Sequence, residues 1–149
     1  MSAEGPRLEQ FLLGRTQGFG VFQDRSGAVR RRFSVELDGL IDDGVLVLTE
    51  DFTFDDGERE RRVWRISCVG EHGYEARADD IIGAAKGRVR GGELRWSYLF
   101  SLKVGSRRFR VRFDERFVQV GQDLLVNEAR ISKFGIRVGQ TTLVFKRRN

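Results

Sequence analysis

Residues 94–113, LRWSYLFSLKVGSRRFRVRF, form the most regular stretch of this chain. Before the Gly105-Ser106 pair, large apolar residues alternate with mostly polar ones, and after it they alternate with arginines. Such alternation is typical of β-strands with one buried face, and a glycine-containing pair between two such runs predicts a two-residue hairpin turn. The facing pairs that this turn predicts on the apolar face are Leu102 with Phe109, Phe100 with Val111, and Tyr98 with Phe113.

A second glycine pair, Gly91-Gly92, predicts another two-residue turn directly before this stretch. The facing pairs that this turn predicts are Val89 with Leu94, Gly87 with Trp96, and Ala85 with Tyr98. Small residues thereby face large aromatic rings. We interpret this as packing, because a bulky ring needs a cross-strand neighbour that leaves it volume.

A third hairpin is predicted for residues 45–66, VLVLTEDFTFDDGERERRVWRI, around a three-residue loop in which Gly57 adopts the left-handed conformation. The facing pairs that this loop predicts are Phe54 with Glu58, Glu50 with Arg62, and Leu48 with Trp64, while Asp51 and Arg61 face each other on the polar side. The pair of Glu50 and Arg62 therefore stands among apolar neighbours.

The distribution of turn residues extends this pattern over the whole chain. Eighteen glycines and a single proline separate short runs rich in Val, Phe, Leu and Arg, which predicts about ten strands. The predicted fold class is all-β: one domain, residues 1–149, forming a closed or nearly closed antiparallel up-and-down β-barrel that is lipocalin-like. A two-sheet sandwich is the alternative. Within the N-terminal segment, residues 1–13, a short helix is predicted from Arg7 to Leu13, with Leu8, Phe11 and Leu12 on one face.

Composition excludes several classes of function. One cysteine, Cys68, cannot form an internal disulfide, and with the single His72 it cannot build a cysteine-histidine zinc site, so no metal or cofactor is indicated. No signal peptide and no run of about 18 apolar residues is present, so we expect a cytoplasmic protein, or an envelope protein if a leader has been removed. The 22 acidic residues interleave with the 27 basic ones, so the net charge of +5 does not favour specific nucleic-acid binding. No oligomeric state is indicated.

The inward faces of the predicted strands suggest a ligand-binding interior. A barrel of this size is wide enough either to hold one small apolar molecule or to be filled by its own side chains, and both alternatives stay open. Arg62 and Glu50 would lie at the polar end of such a ligand, or they form an internal ion pair that only sets the strand register. The candidate ligand-binding residues are Trp64, Trp96, Tyr98, Phe100, Phe113, Phe52, Arg62 and Glu50. The leading hypothesis is a non-catalytic binding protein for a fatty-acid-like or other apolar small molecule.

Two further hypotheses belong to other classes of function. Asp79, Asp80 or Glu50 could act as acid or base in an isomerase-type or hydratase-type enzyme, although we expect the Asp79-Asp80 pair to be a turn in which an aspartate caps backbone amides. Arginine stripes on the outer face could contact anionic lipid or protein, although alternation alone predicts a solvated outer face. The stripes comprise Arg30, Arg31, Arg32, Arg59, Arg61, Arg65, Arg108, Arg110 and Arg112.

Four motifs resemble those of a bacterial family, the domain of unknown function 3833. They are a G-x-G-x-x-x-D-R start at residues 18–25, the E-D-F-x-x-D-D-G-E-R-x-x-R-x-W block at residues 50–64, A-D-D-x-x-G-x-A-x-G at residues 78–87, and S-K-F-G-I at residues 132–136. The resemblance covers nearly the whole chain and implies a lipocalin-like barrel. It also implies a lipid-related role, because many relatives look like lipoproteins and some are encoded beside fatty-acid-modifying enzymes. The chain has Gly18-Phe19-Gly20 where lipocalins proper carry Gly-x-Trp.

Overall fold

The computed structural model describes residues 5–148, and this part of the chain forms one short helix and ten strands. The helix α1 spans Leu8–Phe11. The strands are β1 (Gly14–Asp24), β2 (Val29–Asp42), β3 (Val45–Phe54), β4 (Arg59–Val69), β5 (Gly73–Arg77), β6 (Ile81–Arg90), β7 (Glu93–Val104), β8 (Arg107–Val120), β9 (Leu124–Lys133) and β10 (Ile136–Arg148).

The strands form a closed barrel in which each strand pairs with its neighbours in the sequence. Closure comes from the antiparallel pairing of β1 with β10, which runs from Arg15 opposite Arg148 to Asp24 opposite Gly139. The barrel leaves no edge strand among the described residues, because a closed sheet pairs every strand on both sides. The predicted all-β barrel is confirmed, and the alternative of a two-sheet sandwich is wrong.

Most of the predicted strand register is observed. Phe100 faces Val111 across β7 and β8, and Glu50 faces Arg62 across β3 and β4. The pair of Ala85 with Tyr98 is a correction: between β6 and β7 the register shifts from Ile82–Leu99 to Lys86–Ser97, so three residues of β6 bulge opposite Tyr98 alone. Gly83 lies in this bulge and has a φ of +74°. The prediction extended the register outward from the turn at Gly91-Gly92, and that turn gives no sign of a bulge further along β6.

The helix α1 closes one end of the barrel. Leu8, Phe11 and Leu12 are all buried, as the apolar spacing predicts, although the helix ends at Phe11 rather than Leu13. A Cβ atom on Gly39 would collide with the Leu12 carbonyl oxygen, so glycine is required where α1 meets β2. The backbone N–H of Leu8 donates a hydrogen bond of 3.1 Å to the Tyr74 hydroxyl. No helix among residues 5–148 has the length and apolar character to cross a bilayer.

The opposite end of the barrel, its mouth, lies among five hairpin loops. These loops join β1 to β2, β3 to β4, β5 to β6, β7 to β8, and β9 to β10. Half-buried phenylalanine rings surround the mouth, with centroid distances of 5.9 Å between Phe33 and Phe52 and 5.6 Å between Phe33 and Phe54. The barrel is thus covered by α1 at one end and bordered by apolar rings at the other.

Candidate ligand-binding site

A cavity of about 410 Å³ occupies the barrel interior. It extends from Leu8 and Leu12 of the plugged end to Phe54 and Leu102 of the mouth. Of the two alternatives for the interior, a packed core and a lined cavity, the structure therefore shows the cavity. All eight candidate ligand-binding residues line it: Phe52, Glu50, Arg62, Trp64, Trp96, Tyr98, Phe100 and Phe113.

Aromatic rings form one continuous wall of the cavity. Trp64 on β4 stacks on Trp96 on β7 with ring centroids 5.7 Å apart, and Tyr98 meets the edge of Trp64 at 5.5 Å. Trp96 can occupy this position because Gly87 lies opposite it, where an added Cβ atom would collide with the Trp96 Cβ. Offset and edge-on ring contacts of this kind add to the stability that burial alone provides.

Glu50 places a carboxyl group inside this aromatic wall. Glu50 is 8% exposed, and the indole N–H of Trp64 donates a hydrogen bond of 2.9 Å to the Glu50 Oε1. Burial raises the pKa of Glu50 from 4.5 to about 7, and the nearby charge of Arg62 only partly opposes this effect. Glu50 can therefore hold or release a proton near neutral pH.

A second carboxyl group, Glu115 on β8, lies in the same cavity. The Tyr98 hydroxyl hydrogen-bonds its Oε2, and the Asn127 amide donates to its Oε1 at 3.0 Å. Burial raises the pKa of Glu115 as well, although these hydrogen bonds lower it. The sequence interpretation missed Glu115, yet the Gly105-Ser106 register already places it opposite Trp96 on the inward face.

The indole N–H of Trp96 is a buried polar group beside the Glu115 carboxyl. It lies close enough to Glu115 to lower the pKa of that carboxyl, but it makes no hydrogen bond of normal geometry within residues 5–148. A buried donor without a hydrogen bond of normal geometry costs free energy, and the neighbouring Glu115 carboxyl is the acceptor that partly offsets this cost.

Arg62 binds a different carboxylate from the one that strand pairing predicts. Its Nε and Nη2 donate to Asp80 at 2.9–3.0 Å, whereas Glu50 is bound by Trp64 instead. The expected ion pair of Glu50 with Arg62 is thus corrected to Arg62 with Asp80. Burial alone would lower the pKa of Arg62, but the hydrogen bonds to Asp80 and the charge of Glu50 raise it.

The candidate catalytic residues separate in the structure. The turn at Asp79 and Asp80 forms as predicted, but the Asp80 carboxylate holds Arg62 instead of capping backbone amides. Asp79 is exposed, and neither aspartate lines the cavity, whereas Glu50 does. The structure therefore brings Glu50 together with Glu115 and leaves Asp79 outside. Among residues 5–148, no three His, Cys, Asp or Glu side chains are grouped as metal ligands.

Most of the predicted arginine stripes carry acidic partners. Arg30 pairs with Asp24 at 2.5 Å, and Arg61 pairs with Asp51 at 2.7 Å. Similar pairs neutralise Arg32 and Arg112. Arg31 is a correction: it also pairs with an aspartate, Asp56, but it lines the cavity instead of the outer face. Exposed ion pairs of this type contribute little to stability, but they reduce the positive potential of the outer wall.

The comparisons with known proteins place this chain in a family. The family model described as "Protein of unknown function (DUF3833)" matches residues 2–147. The chain belongs to this family. The resemblance inferred from the four sequence motifs is thereby confirmed. The comparison with curated proteins returned no significant match.

Solved structures share the barrel of this DUF3833 chain at low sequence identity. An S-type phycobiliprotein lyase from Guillardia theta superposes with a TM-score of 0.69 at 10% identity, covering 95% of this chain and 91% of the lyase. A protein of unknown function from the DUF3598 family of Nostoc punctiforme superposes with a TM-score of 0.68 at 21% identity. That match covers 97% of this chain and 50% of the longer one. At these identities the likeness is one of fold.

Proposed function

We propose that this protein binds an elongated, largely apolar small molecule of fatty-acyl size inside its barrel. The observation that carries the proposal is the cavity of about 410 Å³ with its aromatic wall. Pockets for small molecules typically have volumes of about 300–1,000 Å³ and combine apolar walls with a few polar groups. The lyase of similar fold, named for its action on phycobiliproteins, supports the proposal only by showing this barrel in another protein.

The charges of the cavity favour a particular polar end for this ligand. Both arginines that line it are engaged by carboxylates, Arg31 by Asp56 and Glu58, and Arg62 by Asp80. A ligand carboxylate would thus meet the buried Glu50, the half-buried Glu115 and no free cation among the described lining residues. An amine or hydroxyl group could instead donate a hydrogen bond to Glu50. We therefore propose a fatty-acid-like shape with a donating polar group rather than a carboxylate.

The test compares three ligands of equal chain length: dodecylamine, dodecanol and dodecanoate. Trp64 and Trp96 line the cavity, so their fluorescence reports occupancy, and native mass spectrometry gives the stoichiometry. We expect one molecule per barrel and, at pH 8, binding of the amine at least about tenfold tighter than that of dodecanoate, because unlike charges attract inside a poorly hydrated cavity. Glu50→Gln should reduce this difference.

A cavity-filling variant provides the control for location. Ala129 lines the cavity and is buried, so Ala129→Phe should occupy part of the void and abolish binding of all three ligands. Ala28→Phe adds the same ring in an exposed loop and should bind as the original protein does. Equal binding by Ala129→Phe and the original protein, or no binding of any ligand, would overturn the proposal.

We propose a proton-transfer enzyme as the second candidate, and one observation favours it: the Glu50 carboxyl lies in the cavity with its pKa raised to about 7. An acid or base works best when its pKa lies near the working pH. Cells expressing Glu50→Gln should then differ in lipid composition from cells expressing Asp79→Asn, whose altered side chain lies outside the cavity. Identical lipid profiles, measured by mass spectrometry, would exclude catalysis by Glu50 on cellular lipids.

A further inference from the structure

Two neighbouring hairpins at the mouth expose large apolar side chains. Phe134 is 92% exposed, Ile136 57% and Val104 56%, and each lies at or beside the tip of the β7–β8 or the β9–β10 hairpin. Basic residues flank them on both hairpins. This surface, the mouth patch, comprises Leu102, Val104, Phe134 and Ile136 together with Lys103, Arg107, Arg108, Lys133 and Arg137.

The fold does not account for phenylalanine at the tip of the β9–β10 hairpin. Phe134 has a φ of +52° and is followed by Gly135 at +76°, so both turn residues are left-handed. Turns of this type favour asparagine or aspartate at the first position, and a bulky residue there is strained. The β2–β3 hairpin has the same geometry, with Asp43 at +52° and Gly44 at +77°. A residue that is both strained and exposed points to a role outside folding.

The charges of the mouth patch have a single sign. Residues 102–110 and 131–138 contain no aspartate or glutamate. Within the described chain, none of the five basic residues of the mouth patch takes part in a salt bridge. The Lys133 ammonium lies 4.1 Å from the ring centre of Phe109 on β8, which joins the two hairpins into one surface. The patch is therefore apolar at its tips and positive around them.

We propose that the mouth patch docks on the surface of an anionic lipid bilayer. Aromatic side chains prefer the boundary between headgroups and acyl chains, and lysines and arginines beside them are attracted to anionic lipids. Phe134 inserts at this boundary, and the five basic residues face the headgroups. Since Leu102 and Val138 also line the cavity, docking brings the mouth against the bilayer. The proposal does not depend on which ligand the cavity holds.

The first experiment measures sedimentation of the protein with lipid vesicles. We expect the protein to pellet with vesicles of mixed phosphatidylglycerol and phosphatidylcholine and to stay in solution with phosphatidylcholine alone. Raising the salt concentration should release it, because ions screen the attraction between exposed basic residues and headgroups. Replacing one basic residue, as in Lys133→Gln or Arg137→Gln, should weaken binding roughly fivefold each.

A matched pair of phenylalanine variants separates docking from folding. Phe134→Asn supplies the residue that the turn prefers, so we expect an unchanged or higher melting temperature together with a loss of vesicle affinity of roughly tenfold or more. Phe19 is 55% exposed on the outer wall of β1, and Phe19→Thr should leave vesicle binding unchanged. Asp43→Phe places a phenylalanine in the β2–β3 turn, which has the same geometry but lies at the plugged end, and it should not increase vesicle binding.

Three results would overturn the proposal. One is equal binding of the original protein to both kinds of vesicle, and another is full vesicle binding by Phe134→Asn. The third is the absence of vesicle binding by the original protein. In that third case, analytical ultracentrifugation of the original protein and of Phe134→Asn would show whether a second copy of the chain covers the patch instead.

Discussion

At the scale of single residues, the position of a carboxyl group decides its chemistry here. Asp51 and Glu50 are adjacent in the sequence, yet they point to opposite faces of β3 because side chains alternate along a strand. Arg61 lowers the pKa of the exposed Asp51, whereas burial raises the pKa of Glu50. One step along the strand thus separates an ordinary surface ion pair from a carboxyl group that stays protonated close to neutral pH.

Glu50 predicts a specific dependence of stability on pH. Its pKa rises from 4.5 to about 7 on folding, so the folded protein holds a proton that the unfolded chain loses between these values. The free energy of unfolding should therefore fall as the pH rises through this interval and level off above it. Glu50→Gln still accepts the Trp64 hydrogen bond, and it should be more stable than the original protein by about 2–3 kcal/mol at pH 8.

Urea unfolding of both proteins between pH 4 and pH 8 measures this difference. Glu71→Gln removes a carboxyl that is 92% exposed at its side chain, and it should retain the pH dependence of the original protein. If Glu50→Gln showed the same pH dependence as the original protein, the raised pKa of Glu50 would be contradicted.

At the scale of elements, α1 shows how a very short helix becomes stable through tertiary contacts. Four residues cannot hold a helix in water, because nucleation costs more than so few hydrogen bonds return. The buried side chains of Leu8, Phe11 and Leu12 provide the missing stability. The helix should therefore be stable only while it packs against the barrel, and this packing requires glycine at Gly39 of β2.

Removing the largest of these side chains tests how much the packing of α1 stabilises the protein. Phe11 is 2% exposed, and Phe11→Ala should lower the free energy of unfolding by about 3 kcal/mol. We also expect faster hydrogen exchange at the Leu12 amide, which bonds to the Leu8 carbonyl at 2.9 Å. Leu13→Ala, at a residue 46% exposed, is the matched control and should change stability by less than about 0.5 kcal/mol. Similar effects of the two variants would show that α1 does not close the barrel.

At the scale of the whole molecule, closure joins the first strand to the last. The contacts between β1 and β10 link residues at opposite ends of the chain, so they carry the largest loop-closure entropy of any strand pair. Glycines line the inner side of this seam. A Cβ atom on Gly20 would lie 2.6 Å from the Phe33 ring and 2.8 Å from the Thr142 carbonyl oxygen.

Alanine at Gly20 should weaken the entire barrel. We expect Gly20→Ala to lower the free energy of unfolding by about 1–3 kcal/mol through overpacking, in one cooperative transition that circular dichroism and tryptophan fluorescence both follow. Val144→Ala, on the outer side of the same seam and 38% exposed, should cost less than about 1 kcal/mol. A loss confined to faster hydrogen exchange in β1 and β10 would contradict cooperative closure.

The amino-acid sequence by itself determined the strands, their turns and most of their register. This is because a two-residue glycine turn and the alternation of side chains are local, and together they allow one pairing, as for Phe100 with Val111. The same information selected the residues of the cavity wall, all of which point inward. The same register also places Glu115 opposite Trp96, so the sequence contained the information that Glu115 points into the barrel.

Tertiary structure alone decided which inward side chains meet. Arg62 binds Asp80, which lies in the turn that follows β5, the strand paired with β4. The pairing of β4 with β5, in which Arg65 faces Arg77, carries this turn toward Arg62. Likewise, Trp64 and Trp96 stack across the width of two intervening strands, and the void beside them exists only once β1 and β10 close. Turn chemistry acts between neighbours in the chain, whereas these contacts depend on the closed shape of the whole barrel.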